Sequence, residues 1–481
     1  MTLSPAIARR RPYPGMQGGV AGGADKQSLR ELLSSLTPRT RNIVFTVVGC
    51  CAFATTLYLF APGWMAADSG DQLAQARSMQ LTDDHPVLMA LVWHFIDRWL
   101  PGPLGLLVLM VALYWTGLTV IFASLDGPIV ARLVGLLAVG AYPPAAANLP
   151  GIWKDNFMHG ALLVGIACFV GAGVRLRWLR WGLGTLALLV AIGVRHNAAA
   201  AVWPFLMIPL LALPWLRRAK SATRWFAAAV LSLALTLALT LGLGKALGPL
   251  TQKLEYWQTV PIFDLAGMSV AGGKVLIEPE SGVLTEGMGI PEISSLYNPR
   301  YHNFLYYCLE FRGQRCVPLF RRTLDPKKLQ LLRANWLHAI ARHPALYIEH
   351  RWRVAAKLLG NGAPALYFVD RAPHTELARD YPPPKRVLRV LSWIDTQFGS
   401  PWFLPWTYLA LSVVLLPVAV VRHLRGARAL PIFILLSGLS YMASCVLTTG
   451  ASDFRYTVWM IACSVLALAV MLFSPVACRV S

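Results

Sequence analysis

The chain has 481 residues, of which 56% are apolar and 14% charged, where a soluble chain carries nearer a quarter charged. Its formal net charge is +21, yet the Lys and Arg stand in short clusters between apolar runs, with few aromatics beside them. This excludes a soluble globular enzyme, argues against a nucleic-acid partner, and makes membrane lipid the surrounding medium.

In chain order, residues 1–42 are polar, basic and rich in Gly and Pro, with no early apolar core. They read as a disordered cytoplasmic tail without a cleavable leader. Charge-free stretches then follow, long enough to cross about 30 Å of hydrocarbon as helices. The clearest are Ile43–Met65, Leu104–Leu125, Trp225–Gly244, Phe403–Val421 and Ala429–Gly450. The pattern predicts an all-α polytopic membrane protein with about ten transmembrane helices. The expected spans are 43–63, 104–125, 131–149, 157–174, 181–195, 198–216, 225–246, 402–421, 429–448 and 457–475. Spans 157–174 and 181–195 are short and contain Gly.

The expected organisation is a tail (1–42), an N-terminal transmembrane module (43–246), an extracytoplasmic segment (247–401) and C-terminal transmembrane helices (402–481). With these spans, Arg9–Arg11, Arg39 and Arg41 fall on one face. So do Arg132, the Arg175/Arg177/Arg180 group, the Arg217/Arg218/Lys220/Arg224 group, the Arg422/Arg425/Arg428 group and Arg479. The positive-inside rule makes that face cytoplasmic, with both termini there. The Ala, Leu and Arg richness fits a GC-rich bacterial genome, and so a bacterial cytoplasmic membrane. Loop 64–103, the connections near 153–156 and 195–197, segment 247–401 and the short loop 452–455 fall on the opposite side.

Segment 247–401 is polar enough for a small soluble domain. Within 333–359, Trp336, Ile340, Leu346, Tyr347 and Trp352 are spaced for one amphipathic helix lying at the interface. Cys308 and Cys316 stand eight residues apart. In an oxidising compartment that spacing allows a local disulfide, without requiring it. The remaining six cysteines, in or beside spans, read as apolar filler. Stretch 360–400, with Asp370-Arg371 and Pro382-Pro383-Pro384, reads as a loop that orders over substrate.

The chain has only 23 acidic residues, yet Asp68, Asp71, Asp83 and Asp84 fall together with His85 just after the first span. Carboxylates are costly to dehydrate at a bilayer, and they are well placed there to accept a proton. On a helix over 67–79, Asp68 and Asp71 share a face. Asp71 reads best as solvating that helix. Asp84-His85-Pro86 fits both ordinary helix-start chemistry and a cation or phosphate-proximal site. Lys154-Asp155 can be a structural ion pair, or can offer Lys154 to a phosphate and Asp155 to a sugar hydroxyl or a metal. Arg195-His196-Asn197 and Arg455-Tyr456 each stand at a span end on the face where the topology rule disfavours positive charge. Recurrent cations there, beside an acidic loop, suit a phosphate or pyrophosphate headgroup.

At these residues the chain resembles the GT-C class of integral-membrane glycosyltransferases, which take sugars from polyprenyl-phosphate carriers. Gly63-Trp64-Met65 to Asp68-Ser69, Gln72-Leu73, Gln75-Ala76 and Asp84-His85-Pro86 are similar to the first outer loop of bacterial members. Lys154-Asp155 resembles the second-loop motif of that class. Arg195-His196-Asn197 resembles an Arg-x-Asn element, and Arg455-Tyr456 the Arg-Tyr of the C-terminal spans. Asn335-Trp336 through Pro344 and Tyr347 is similar to a Trp…Pro-x-x-Tyr helix. The chain has Asp-Ser where the aminoarabinose and mannosyl transferases have Asp-Glu, so the sugar is not fixed by the likeness.

The resemblance implies a GT-C-like fold and a polyprenyl-phosphate-linked sugar as donor. The acceptor would be an envelope glycan or lipid. Asp68 would be the catalytic base of an inverting displacement, and Lys154, Arg195 and Arg455 would hold the donor phosphate. Asp71, Asp84, His85, Asp155, Asn197 and Tyr456 would form the substrate pocket, with Asp155 and Asp84-His85 shaping it. No cofactor is required, and a divalent metal fits without being demanded. A transporter or flippase for a lipid-linked or small polar substrate is the competing expectation. It predicts repeated halves and midplane charges, and the sequence shows neither.

Overall fold

The computed structural model describes residues 37–170, 176–360, 376–397 and 399–473. Most of the basic tail, Arg175, Asp370-Arg371 and Arg479 lie outside the described residues. The chain is almost wholly helical, as its apolar periodicity predicts. In order, helix α1 is Pro38–Phe60, α2 Ala67–Ser78, α3 Leu88–Asp97, α4 Pro103–Ala123, α5 Ile129–Gly140 and α6 Pro143–Ala146. Then come α7 Lys154–Val170, α8 Arg177–Val194, α9 Ala198–Leu211, α10 Pro214–Arg217 and α11 Ser221–Leu247. After these lie α12 Thr259–Gly272, α13 Ile290–Leu296, α14 Pro326–Arg342 and α15 Pro344–Leu358. The last are α16 Glu376–Arg379, α17 Lys385–Gln397, α18 Pro405–Leu424, α19 Leu430–Thr448 and α20 Val458–Phe473.

Six helices are long and apolar enough to cross a membrane: α1, α4, α8, α11, α18 and α19. Shorter helices α5, α7, α9 and α20 occupy the positions of the other predicted spans. Helix α5 stops at Gly140 because Tyr142-Pro143-Pro144 follows, and proline cannot donate to a continuing helix. The protein is thus a multi-pass, membrane-embedded helical protein.

The helices alternate. One group (α1, α5, α8, α11 and α19) runs toward the end that carries residues 64–86, and the other (α4, α7, α9, α18 and α20) runs away from it. At the far end, arginines donate to helix carbonyls left without intrahelical partners. Arg132 reaches Ala123 O and Leu125 O beyond α4, at 3.1 and 2.7 Å. Arg180 reaches Ala167 O in α7, Arg224 reaches Leu211 O in α9, and Arg422 reaches Met471 O in α20. A cation at a helix carboxyl end also meets the negative end of the helix dipole.

At the other end, residues 251–358 build a cap with its own apolar core, which includes Ile262, Phe263, Leu305, Phe320, Leu332 and Val354. Two short ladders serve it. Strand β1 (Leu81–Thr82) pairs in parallel with β2 (Thr251–Gln252), and β3 (Cys308–Phe311) pairs antiparallel with β4 (Gln314–Pro318). Cys308 and Cys316 are joined by a disulfide across this hairpin. The single amphipathic helix expected over 333–359 is two helices. Pro344 lacks an N–H and starts α15 after a break at His343. Trp336, Ile340, Leu346 and Tyr347 pack on the cap core, and Trp352 stays exposed. Stretch 360–400, expected as a loop over substrate, instead carries α17, whose Val387, Leu391 and Ile394 join the core of the membrane helices, while 361–375 lie outside the described residues.

Helices α4 and α7 approach closely through glycine. A Cβ on Gly117 would lie 2.6 Å from Leu163 Cβ and 2.7 Å from the Leu163 carbonyl carbon, and one on Gly160 would lie 2.8 Å from Leu113 Cβ. Small residues at such contacts let backbones pack tightly in lipid. A Gly117→Ala variant should lose about 1–3 kcal/mol to overpacking. It should unfold at lower temperature in detergent, whereas Gly242→Ala, with nothing within 4 Å of the added carbon, should not.

Candidate functional site

A cavity of about 800 Å³ opens where the cap meets the helix ends. The predicted residues that line it arrive by separate local devices. Ser69 on the first turn of α2 donates to Ile152 O at 2.7 Å, and Trp64 exchanges backbone hydrogen bonds with Pro150 and Ile152. These bonds fasten the start of α2, and so Asp68, beside the residues that precede α7. Lys154 opens α7, Arg195 closes α8, and Arg455 lies in the short turn before α20.

The charges meet in one network. Arg455 contacts Asp68 at 2.9 Å and Asp453 at 3.0 Å, and its Nε stands 4.0 Å from Asp155. Arg195 pairs with Asp155 at 2.7 Å, and Asp155 is 1% exposed. Both guanidinium groups flank the Tyr456 ring, at 4.5 and 5.3 Å, and Arg455 also lies over Trp153. Lys154 differs. Its Nζ lies 2.8 Å from His85 Nδ1, and among the described residues it makes no ion pair. An ammonium is a pure donor, so Nδ1 accepts and the imidazole is neutral. Burial, then the charge of Lys154, pushes the His85 imidazole down to about 3.

Burial opposes ionisation of Asp68, but the positive charges of Arg455 and Lys154 outweigh it and hold the carboxyl well below the usual range. Asp453 moves the other way. Its burial, and the nearby Asp68 carboxylate, raise it despite Arg455. One guanidinium thus serves two carboxylates unequally, with Asp68 the more firmly ionised. The positive end of α7 and the ammonium of Lys154 together favour an anion at this wall.

Asp68, Asp84, His85, Lys154, Arg195, Asn197, Arg455 and Tyr456 all line the cavity. Asp155 lies behind the wall, as the partner of Arg195. Asp71, expected in the substrate pocket, is exposed and does not line the cavity, because its position on α2 turns it to solvent. Asp84 faces Arg322 of the cap at 3.5 Å. Asp83 is structural, since its carboxylate accepts from Leu254 N and Glu255 N and so pins the first loop to the cap. Among the described residues, no group of three or more His, Cys, Asp or Glu side chains comes together as for a metal. Asp68, Asp155 and Asp453 are each engaged by an arginine.

Two features escape sequence reasoning. Asp453 is signalled only by its place two residues before Arg455. The cap supplies an aromatic wall, with Tyr256, Trp257, Tyr301, Phe304 and Tyr307 at the cavity. Tyr301–Phe304 and Phe304–Tyr307 pack edge to face at 5.8 and 5.2 Å. The three-residue spacing of Tyr301, Phe304 and Tyr307 fits one face of the 3-10 turn His302–Tyr306, whereas nothing in the sequence joins Tyr256 and Trp257 to them.

No protein-family model, curated protein or solved structure matches the chain.

The neutral His85 yields a pH prediction. Its folded value, about 3, lies below the ordinary 6.5, so between those values the unfolded chain binds more protons than the folded one. Stability contributed by the neutral imidazole is therefore full above pH 6.5 and declines as pH falls toward 3. The pH dependence of the thermal midpoint, compared between wild type and His85→Gln, should be shallower in the variant across that window. Parallel curves would show that His85 charges freely.

Proposed function

We propose that the chain is a GT-C-type membrane glycosyltransferase. It moves a sugar from a polyprenyl-phosphate carrier to an envelope glycan or lipid, on the extracytoplasmic side of a bacterial cytoplasmic membrane. The observation that carries this reading is the grouping of one cavity-lining carboxylate, Asp68, with Lys154, Arg195 and Arg455, where Lys154 has no carboxylate partner among the described residues.

In the reaction an acceptor hydroxyl or amine attacks the anomeric carbon. The bond from that carbon to the phosphate oxygen breaks, the phosphate keeps the electron pair, and the configuration inverts. Asp68 takes the acceptor proton. Lys154 and Arg455 neutralise the charge growing on the leaving phosphate, and Arg195, held by Asp155, supports them. In the free site Asp68 is too acidic to be a strong base, because Arg455 holds it ionised. A bound phosphate takes up positive charge from Arg455 and Lys154, and so raises the basicity of Asp68 where the proton is transferred. No step requires a metal.

The deciding experiment is turnover of a panel of polyprenyl-phosphate sugars by purified protein in lipid. Asp68→Asn should cut turnover about 10²–10⁴-fold while leaving donor binding intact. Lys154→Met should lower turnover by about 10²–10³-fold and weaken binding too. Full activity in Asp68→Asn would remove the base assignment. Movement of labelled lipid across the bilayer with no sugar transfer would favour a transporter instead.

A further inference from the structure

A second buried charge cluster lies in the cap, apart from the cavity. Asp264 on α12 and His350 on α15 are 0% exposed, and Arg351 on α15 is 4% exposed. Asp264 Oδ1 stands 2.6 Å from the Arg351 guanidinium and 3.0 Å from His350 Nε2, and Asp264 Oδ2 accepts from Trp336 Nε1 at 2.9 Å. Tyr297 OH meets His350 Nδ1 at 2.8 Å. For holding a core together this is a poor choice, since an apolar pair of similar volume packs as well or better than a desolvated ion pair.

What the pair adds lies on the other side of the guanidinium. Arg351 Nη1 leaves the cap and donates to Thr449 O at 2.9 Å and Val446 O at 3.4 Å. These carbonyls belong to the last turn and the cap residue of α19, where the helix dipole favours a cation. The fork of an arginine can hold a carboxylate with one nitrogen and carbonyls with another, which a lysine ammonium cannot do with the same geometry.

The chain from Thr449 onward is the loop that delivers Asp453 and Arg455. The cap grips it again at each step. His302 N donates to Gly450 O at 2.8 Å, Tyr301 bridges Ala451, and Ser452 N donates to Arg300 O at 2.9 Å. Arg351 is the member of this series whose side chain is held by a buried carboxylate, Asp264.

We infer that Arg351, fixed by Asp264, is a positioning residue. It clamps the carboxyl end of α19 to the cap and thereby sets where Arg455 stands over the cavity. The inference rests on the proposed phosphate-binding role of Arg455 only for its functional consequence. The clamp itself can be read without any ligand.

The test pairs Asp264→Asn with Arg351→Met, so that no buried charge is left unpartnered, and uses Arg351→Lys as the conservative control. Amide hydrogen exchange should quicken at least tenfold at Ser452 and Tyr456 in the double variant, while Ile262–Met268 and Leu332–Ala339 stay protected. Unchanged loop exchange overturns the clamp, and so does a uniform loss of protection through the cap. Undecaprenyl phosphate is the binding probe. Its affinity should fall about tenfold in the double variant, recover in part in Arg351→Lys, and fall no further when the clamp is broken in an Arg455→Met background. Additive losses would mean that Arg351 does not act through Arg455, and would overturn the inference. If wild type does not bind the probe, the transferase reading fails, and hydrogen exchange alone still decides the clamp.

Discussion

The site depends on a balance of charge around one guanidinium. Arg455 must serve Asp68 and Asp453 while standing near Asp155, at the edge of a medium that penalises every unpaired ion. Arg195 relieves it by taking Asp155. Lys154 is thereby left facing a neutral imidazole. Moving any member redistributes charge to the others, so these side chains work as one object. An arriving anion would enter as the missing counter-charge, not as an intruder.

The fold keeps these groups in place by drawing them from the ends of antiparallel helices. Asp68 comes from a short helix stapled to the residues before α7, Lys154 from the first turn of α7, and Arg195 from the cap of α8. Helix ends are where backbone N–H and C=O groups lack partners and where side chains have most influence. The cap contributes the aromatic wall and grips the loop before α20. The site is consequently shared between two cores, and neither core builds it alone.

Much of this is legible in the sequence where the signal is local. Apolar runs mark the membrane helices because lipid rewards hydropathy above every other property of a span, and charged residues at span ends stand out because the rule there is absence. Asp68, Lys154, Arg195 and Arg455, far apart in the chain, do meet at one cavity. What sequence cannot supply is tertiary pairing. The clamp of Asp264 and Arg351 involves residues 87 positions apart on two cap helices, with no composition or spacing to connect them. The break at Pro344 is visible as a proline, yet the apolar periodicity continues across it and masks the division into two helices. Asp71 and Asp83 look equivalent to Asp68 and Asp84 in sequence, and only the direction each faces separates solvent, scaffold and site.

The arginines at the far end serve two purposes. Arg132, Arg180, Arg224 and Arg422 are the kind of residue that orients a chain during membrane insertion, and all four also close carbonyl ends of helices. For insertion a lysine would do equally well, since only charge is counted. For closing a helix end, reach and fork geometry matter. Orientation and packing are therefore written in the same residues, one through charge and the other through shape. A chain threaded the wrong way would carry its helix caps into the wrong compartment. Biogenesis and final stability are thereby coupled, and misinsertion exposes itself as misfolding.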